Sequence, residues 1–280
     1  MINAMQLKAA VKKVAAEKKI SSQLALQNYM MERLLVRISF SRFRDHLVFK
    51  GGFLISAMVG LGSRATMDMD ASIKNYPFSK ETVLGMFGEI VKIDCHDGIR
   101  FEIREVLDIR ESDPYQGFRL SLFALFPPLA VPLKVDLTTG DPITPNDVVF
   151  NYPLMFEKKT VSVLAYNLET ILAEKLETVL SRGTANTRLR DFYDVYILTK
   201  CHSQSLNQNS LRAGLWATTS KRGTETILKD YQKTVEIIRH DSTMLERWKA
   251  FSSTASYGRN LSFEDVLICV REILDNLFAK

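Results

Sequence analysis

Two aspartates one residue apart, Asp68 and Asp70, follow a glycine pair, Gly51-Gly52, in the stretch KGGFLISAMVGLGSRATMDMD from Lys50 to Asp70. Period-2 alternation places Met67, Met69 and Ala71 on one side of a strand and Asp68, Asp70 and Ser72 on the other. Carboxylates sharing one strand face repel unless something positive lies between them. Magnesium or manganese, which favour hard oxygen ligands, are natural occupants. The glycines stand before an apolar helical run, so helix-start N–H groups without a Cβ can approach phosphate oxygens, and Arg64 lies nearby. The plainer alternative is a solvent-facing strand edge with two incidental acids. A third carboxylate comes from VPLKVDL, where Val131, Leu133, Val135 and Leu137 alternate with Lys134 and Asp136. Three acids with metal could activate an acceptor hydroxyl and neutralise a leaving pyrophosphate.

Lys175 is a second, independent signal. Leu168, Ile171, Leu172, Leu176, Val179 and Leu180 form a helix stripe, and Lys175 falls on it. A charge there must snorkel or find a partner, and a triphosphate would serve. On that reading, Lys175→Met keeps or raises stability while losing activity. Next comes RGTANTRLRDFYDVY, Arg182 to Tyr196, with Phe192, Val195 and Tyr196 facing inward. Arg188, Arg190, Asp191 and Asp194 are either ordinary helix ion pairs or a phosphate or base clamp with its orienting acids.

These residues need elements to hold them. Helical spacing covers 5–19 and 22–44, split at Ile20-Ser21-Ser22, where a serine can cap the second helix. Strands are expected around Asp68 and at 99–109, 117–126, 131–138 and 160–166, with a helix near 79–92. From Asn167, a good N-cap, helices are expected at 168–181, 188–200, 209–218, 222–239, 243–254 and 262–278. Strands gathered in one segment and helices in another indicate an α+β fold. The expected division is a helical arm at 1–44, a mixed core at 45–166 and a helical domain at 167–280.

Composition supports a globular chain: 280 residues, 46% hydrophobic and 25% charged. No apolar run is long enough for a membrane span and the N-terminus lacks a secretory pattern, so a cytoplasmic location is expected. Three scattered cysteines, Cys95, Cys201 and Cys269, suit free thiols rather than a disulfide framework. Asp94, His96 and Asp97 read as a turn rather than a metal cluster. No P-loop, dinucleotide fingerprint or hydrolase triad is present. Of the net charge of +5, residues 1–44 carry nine basic against two acidic side chains, a local excess of +7. That arm suits a polyanion such as RNA, or is simply a solvated face.

Together these residues resemble the AbiEii/AbiGii toxin family of polymerase-β-like nucleotidyltransferases. The superfamily pattern of a glycine pair, D-x-D and a third strand aspartate is similar to Gly51-Gly52, Asp68-Met69-Asp70 and Asp136. The family's additions are similar to Arg64-x-Thr66-x-Asp68-x-Asp70, and to Lys175 followed by R-x-R-D-F-Y-D at Arg188 to Asp194. Gly52 stands where the superfamily often has serine; Ser56 or Ser63 would have to compensate. The resemblance implies a nucleotidyltransferase-like mixed sheet, an NTP substrate with Mg²⁺ and metal ligation by Asp68, Asp70 and Asp136. Lys175 and Asp191 are implied to join those acids in catalysis. Nucleotide binding is assigned to Gly51, Gly52, Arg64, Thr66, Lys175, Arg188, Arg190 and Asp194. It further implies a toxin of a bacterial toxin–antitoxin or phage abortive-infection pair, an antitoxin that is a DNA-binding regulator, and in some relatives nucleotide addition to tRNA. Two other readings compete: transfer of the nucleotide to protein hydroxyls, and a non-catalytic nucleotide-binding module.

Overall fold

A computed structural model describes residues 3–109, 117–259 and 261–278. The chain divides into two compact units, one of residues 1–140 and 148–165, the other of residues 141–147 and 166–280.

Among the described residues, the first unit is a seven-stranded mixed sheet with four helices. Its strands are β1 (Leu47–Lys50), β2 (Met69–Ile73), β3 (Arg100–Ile109), β4 (Gly117–Phe126), β5 (Leu129–Thr139), β6 (Val148–Pro153) and β7 (Thr160–Ala165). They lie in the order β3-β4-β5-β2-β1-β7-β6. Pairing is antiparallel except for β2 with β5 and β1 with β7. Alternation along β5 buries Val131, Leu133, Val135 and Leu137, as the sequence pattern requires, and sends Asp136 to the opposite face. The buried face joins one core with α1 (Ala4–Glu17), α2 (Ser22–Phe40) and α4 (Lys80–Ile90).

Caps define these helices. Asn3 and Gln6 form a reciprocal capping box on α1. Ser21 Oγ accepts from the Leu24 N–H at the start of α2. Ser79 caps α4.

The N-terminal segment differs from a peripheral basic arm. Helix α2 is buried along most of its length, including Arg33 and Arg37. Arg37 forks onto Asp97 at 2.9 and 2.8 Å and also donates to the Ile99 and Arg33 carbonyls. Arg33 bridges Glu32 at 2.5 Å and Glu157 at 3.0 Å, while Glu32 accepts from the Met155 N–H at 2.6 Å. Burial pushes the Glu32 carboxyl up to about 7, against the pull of Arg33. Two of the nine basic residues are thus spent inside the fold. Lys8, Lys12, Lys13, Lys18 and Lys19 remain exposed on α1 and the turn after it.

Two strands escaped the sequence reading. β1 is only four residues, three apolar ones closed by Lys50, and β6 ends at Pro153, so neither shows a long alternation. Met67 is exposed rather than part of the apolar face, because the strand begins at Met69 and Asp68 lies just before it.

The second unit is helical: α5 (Leu168–Arg182), α6 (Leu189–His202), α7 (Gln208–Arg222), α8 (Tyr231–His240), α9 (Ser242–Thr254) and α10 (Phe263–Phe278). Asn167 caps α5 as expected, its Oδ1 accepting from the Thr170 N–H at 2.7 Å. The same side chain donates to the carbonyls of Thr144 and Asn146, so the loop 141–147 wraps the start of α5. The single helix expected at 222–239 is broken. Gly223 ends α7 in the left-handed region, a short 3-10 turn follows, and α8 starts only at Tyr231.

Candidate active site

In the sheet unit, register assembles the residues. Asp70 on β2 pairs with Asp136 on β5, Asp136 pairs with Arg119 on β4, and on the other side Asp70 pairs with Lys50 on β1. Directly paired residues share a face, so four strands carry a row that reads cation, acid, acid, cation. Arg119 was not singled out by the sequence reading. Its Nε and Nη2 each lie 2.7 Å from an Asp136 carboxylate oxygen, a bidentate fork. This bond to Asp136 holds the Arg119 guanidinium above its usual range against the opposing effect of desolvation, with Asp136, Asp68 and Asp70 adding their fields.

The signal for Arg119 was present in the chain. Phe126 pairs with Leu129 across Pro127-Pro128, and counting back seven residues from each side of that turn reaches Arg119 and Asp136.

The glycine pair has a steric reason. Gly51 joins β1 directly to α3 (Gly51–Val59) at φ +64°, and a Cβ there would sit 2.3 Å from Asp70 Oδ2. Both the backbone and the acid therefore demand glycine. A Cβ on Gly52 would meet Thr66 Oγ1 at 3.0 Å and an Arg64 guanidinium nitrogen at 3.2 Å. Arg64 and Thr66 are both buried, so the R-x-T segment lies against the first turn of α3. The Lys50 side chain, at the N-cap position, makes no cap hydrogen bond to that turn, which contains no acidic residue. Ser56 is buried on the same helix.

Two α2 residues that the sequence reading passed over hold this segment. Gln27 Nε2 donates to the Met67 carbonyl at 2.7 Å, and Asn28 Nδ2 donates to the Thr66 carbonyl at 2.9 Å. Thr66 Oγ1 in turn donates to the Asp68 carbonyl at 3.3 Å. Helix α2 thereby fixes the backbone leading into Asp68.

Three carboxylates with oxygen donors are the right chemistry for magnesium, but as arranged they do not fit it as a set. Both Asp136 oxygens are occupied by Arg119, and among the described residues no group of three His, Cys, Asp or Glu side chains is placed to hold a metal ion. Asp94, His96 and Asp97 form the turn expected of them: the His96 N–H donates to Asp94 and Asp97 is taken by Arg37.

The helical unit carries the second cluster. Ile171, Leu172, Leu176, Val179 and Leu180 are buried, confirming the stripe around Lys175. Lys175 does not depend on snorkelling: its Nζ lies 2.5 Å from Asp191 Oδ1 and 3.0 Å from Asp194 Oδ2. The two acids sit one turn apart on α6, with side chains 8% and 0% exposed. Arg188 and Arg190 are exposed and make no ion pair among the described residues, so the acids serve the lysine rather than their neighbouring arginines. Asn186, fully buried, prepares this helix start by accepting from the Arg188 N–H at 2.7 Å. Tyr193, not Tyr196, is the buried tyrosine here, packed against Phe251 and Tyr257.

Residues 33–269 match the family described as nucleotidyl transferase AbiEii toxin, type IV toxin–antitoxin system. The chain belongs to the AbiEii family. Its fold resembles two solved structures from Helicobacter pylori. One is described as a candidate nucleotidyltransferase, with TM-score 0.54 and 16% identity, covering 92% of this chain and 97% of that one. The other, JHP933, has TM-score 0.54 and 15% identity, covering 92% and 94%. At such identities the likeness shows the fold alone. No curated protein matches the chain. Membership of the AbiEii family makes the chain a nucleotidyltransferase of the toxin type, with an NTP as substrate and an antitoxin as partner. Among the described residues, no helix is long and apolar enough to cross a membrane.

Proposed function

We propose that this AbiEii protein transfers a nucleoside monophosphate from an NTP to an RNA acceptor, tRNA foremost. The observation that carries the reading is the cross-strand row of Asp70 and Asp136 beside a glycine-started helix. In this reading the acceptor hydroxyl oxygen bonds to the α-phosphorus, the bond from that phosphorus to the bridging oxygen breaks, and pyrophosphate leaves. The acceptor proton passes to Asp68 or Asp70, the two acids not engaged by Arg119. The bare N–H groups of Gly51 and Gly52 face phosphate oxygens, as helix N-termini commonly do, with Arg64 and Thr66 shaping that turn. Lys175 supplies a compact positive charge to phosphate, kept in place by Asp191 and Asp194. Arg188 and Arg190 are the exposed cations of the same helix start and grip phosphate or base.

The acceptor assignment rests on the exposed lysines of α1, which suit a phosphate backbone. As a toxin of an abortive-infection pair, the protein is expected to be checked by a DNA-binding regulatory antitoxin. Incubation with labelled NTPs and total cell RNA and protein tests the reading. Label on RNA supports it; label on protein alone moves the acceptor to protein hydroxyls, and label on neither makes the chain a nucleotide-binding module.

A further inference from the structure

The cross-strand row contains a cation that neither the D-x-D pattern nor the helical cluster requires. β2 and β5 are parallel neighbours, so Asp70 and Asp136 stand on backbones about 4.8 Å apart. Two carboxylates at that spacing need positive charge close by. Arg119 provides it from the next strand, with both Asp136 oxygens in its fork. Among the described residues Asp136 is the only hydrogen-bond partner of its guanidinium.

A second bidentate pair in the same unit shows what a permanent lock looks like. Arg37 is 1% exposed, is held by two backbone carbonyls besides Asp97, and packs over Phe101. Arg119 is 36% exposed and Asp136 19%, and among the described residues no further side-chain hydrogen bond keeps the arginine in place. Opening Arg37–Asp97 would strand a buried charge; opening Arg119–Asp136 returns the guanidinium to water.

We infer that Arg119 is a built-in competitor for metal, and that a divalent cation gains Asp136 only by displacing the guanidinium. The inference rests on the proposed role of Asp68, Asp70 and Asp136 as the acids of the transfer site. It accounts for the arrangement of the acids, because Asp136 already carries a counter-cation in Arg119. The two cations compete for Asp136, so each weakens the other's affinity for that carboxylate by the same factor.

The test is the affinity of the nucleotide-free protein for Mn²⁺ alone, read by calorimetry or by the electron paramagnetic resonance of free Mn²⁺. Arg119→Met, which keeps the stem and removes the charge, is expected to bind Mn²⁺ at least about tenfold more tightly than wild type. Arg119→Lys keeps a charge but loses the fork, and is expected between the two. Equal or weaker binding by Arg119→Met overturns the inference. Should Arg119→Met show no melting transition, Arg119→Lys decides: tighter binding than wild type supports the competition and unchanged binding overturns it. Asp68→Asn and Asp136→Asn separate the two layers. If Asp68→Asn weakens Mn²⁺ binding while Arg119→Met leaves it unchanged, the acids stand and the competition fails. If tightening by Arg119→Met survives addition of Asp136→Asn, the ion does not take Asp136 and the competition fails.

Discussion

The sheet unit and the helical unit each pair lysine or arginine with two aspartates, but they do so under opposite conditions. In the sheet, the charges come from four strands, aligned by register, and the Arg119–Asp136 end is open to water. In the helical unit, Lys175 reaches from α5 to two acids one turn apart on α6, nearly all of it buried. An open pair can exchange partners at small cost, whereas a buried trio loses heavily when one member goes. The first arrangement suits a site whose charges must change; the second suits a fixed charge.

The sharpest way to break this comparison is Lys175→Met. The sequence alone suggested that this change would be harmless to stability, but it leaves Asp191 and Asp194 buried without their cation. We expect a loss of about 3–5 kcal/mol in denaturant unfolding. Adding Asp191→Asn and Asp194→Asn should recover a substantial part. If Lys175→Met unfolds at the wild-type midpoint, the trio is not a fixed structural charge.

The converse holds for the sheet acids. Asp68→Ala should lower nucleotide transfer by roughly 100-fold or more, while thermal unfolding stays near wild type because carboxylate repulsion is relieved. Equal losses of fold and activity would make the two clusters alike.

Glu32 is a fully buried acid of the same sheet unit. Its folded value, about 7, lies above the ordinary carboxylate value of 4.5. The folded state therefore binds the proton more tightly. Its stabilising contribution is complete below about pH 4.5 and is lost as pH rises through about 7. Glu32→Gln should remove on the order of 2 kcal/mol of that decline. Urea midpoints measured between pH 5 and 8 check this, and an unchanged slope in the variant would remove Glu32 as its source.

The smallest effect per residue belongs to the surface. Replacing Lys12, Lys13, Lys18 and Lys19 with Gln should flatten the salt dependence of RNA binding by up to about 0.9 log-log unit per lost contact. Stability should hardly move, since Gln has similar helix propensity. An unchanged salt slope would leave these lysines as a solvated face.

What could be read in advance follows the range of the interactions involved. Alternation along β5, the apolar stripe of α5 and the Asn167 cap are local patterns, and each is present as read. The grouping of strands before helices was equally legible. The partner of Lys175 was not, because it lies sixteen residues away on another helix. Arg33 and Arg37 looked like surface charge because their partners, Asp97 and Glu157, are distant in sequence. Gln27 and Asn28 carried no motif at all; only the fold shows that they hold the carbonyls before Asp68. β1 was too short for a periodic signal, and its place beside the acids became visible only through register.

The excursion of residues 141–147 into the helical unit affects how the molecule can be dissected. The chain passes from one unit to the other after Gly140, back after Asp147 and across again after Ala165. A single proteolytic nick at the last crossing would cut the helical segment from the covalent connection to Thr144 and Asn146, whose carbonyls accept from the α5 cap, Asn167. The helical unit is complete only when a piece of chain made before β6 and β7 has been threaded to it. Its folding is thereby tied to synthesis of the sheet segment, and neither unit is a contiguous cassette that recombination could move intact.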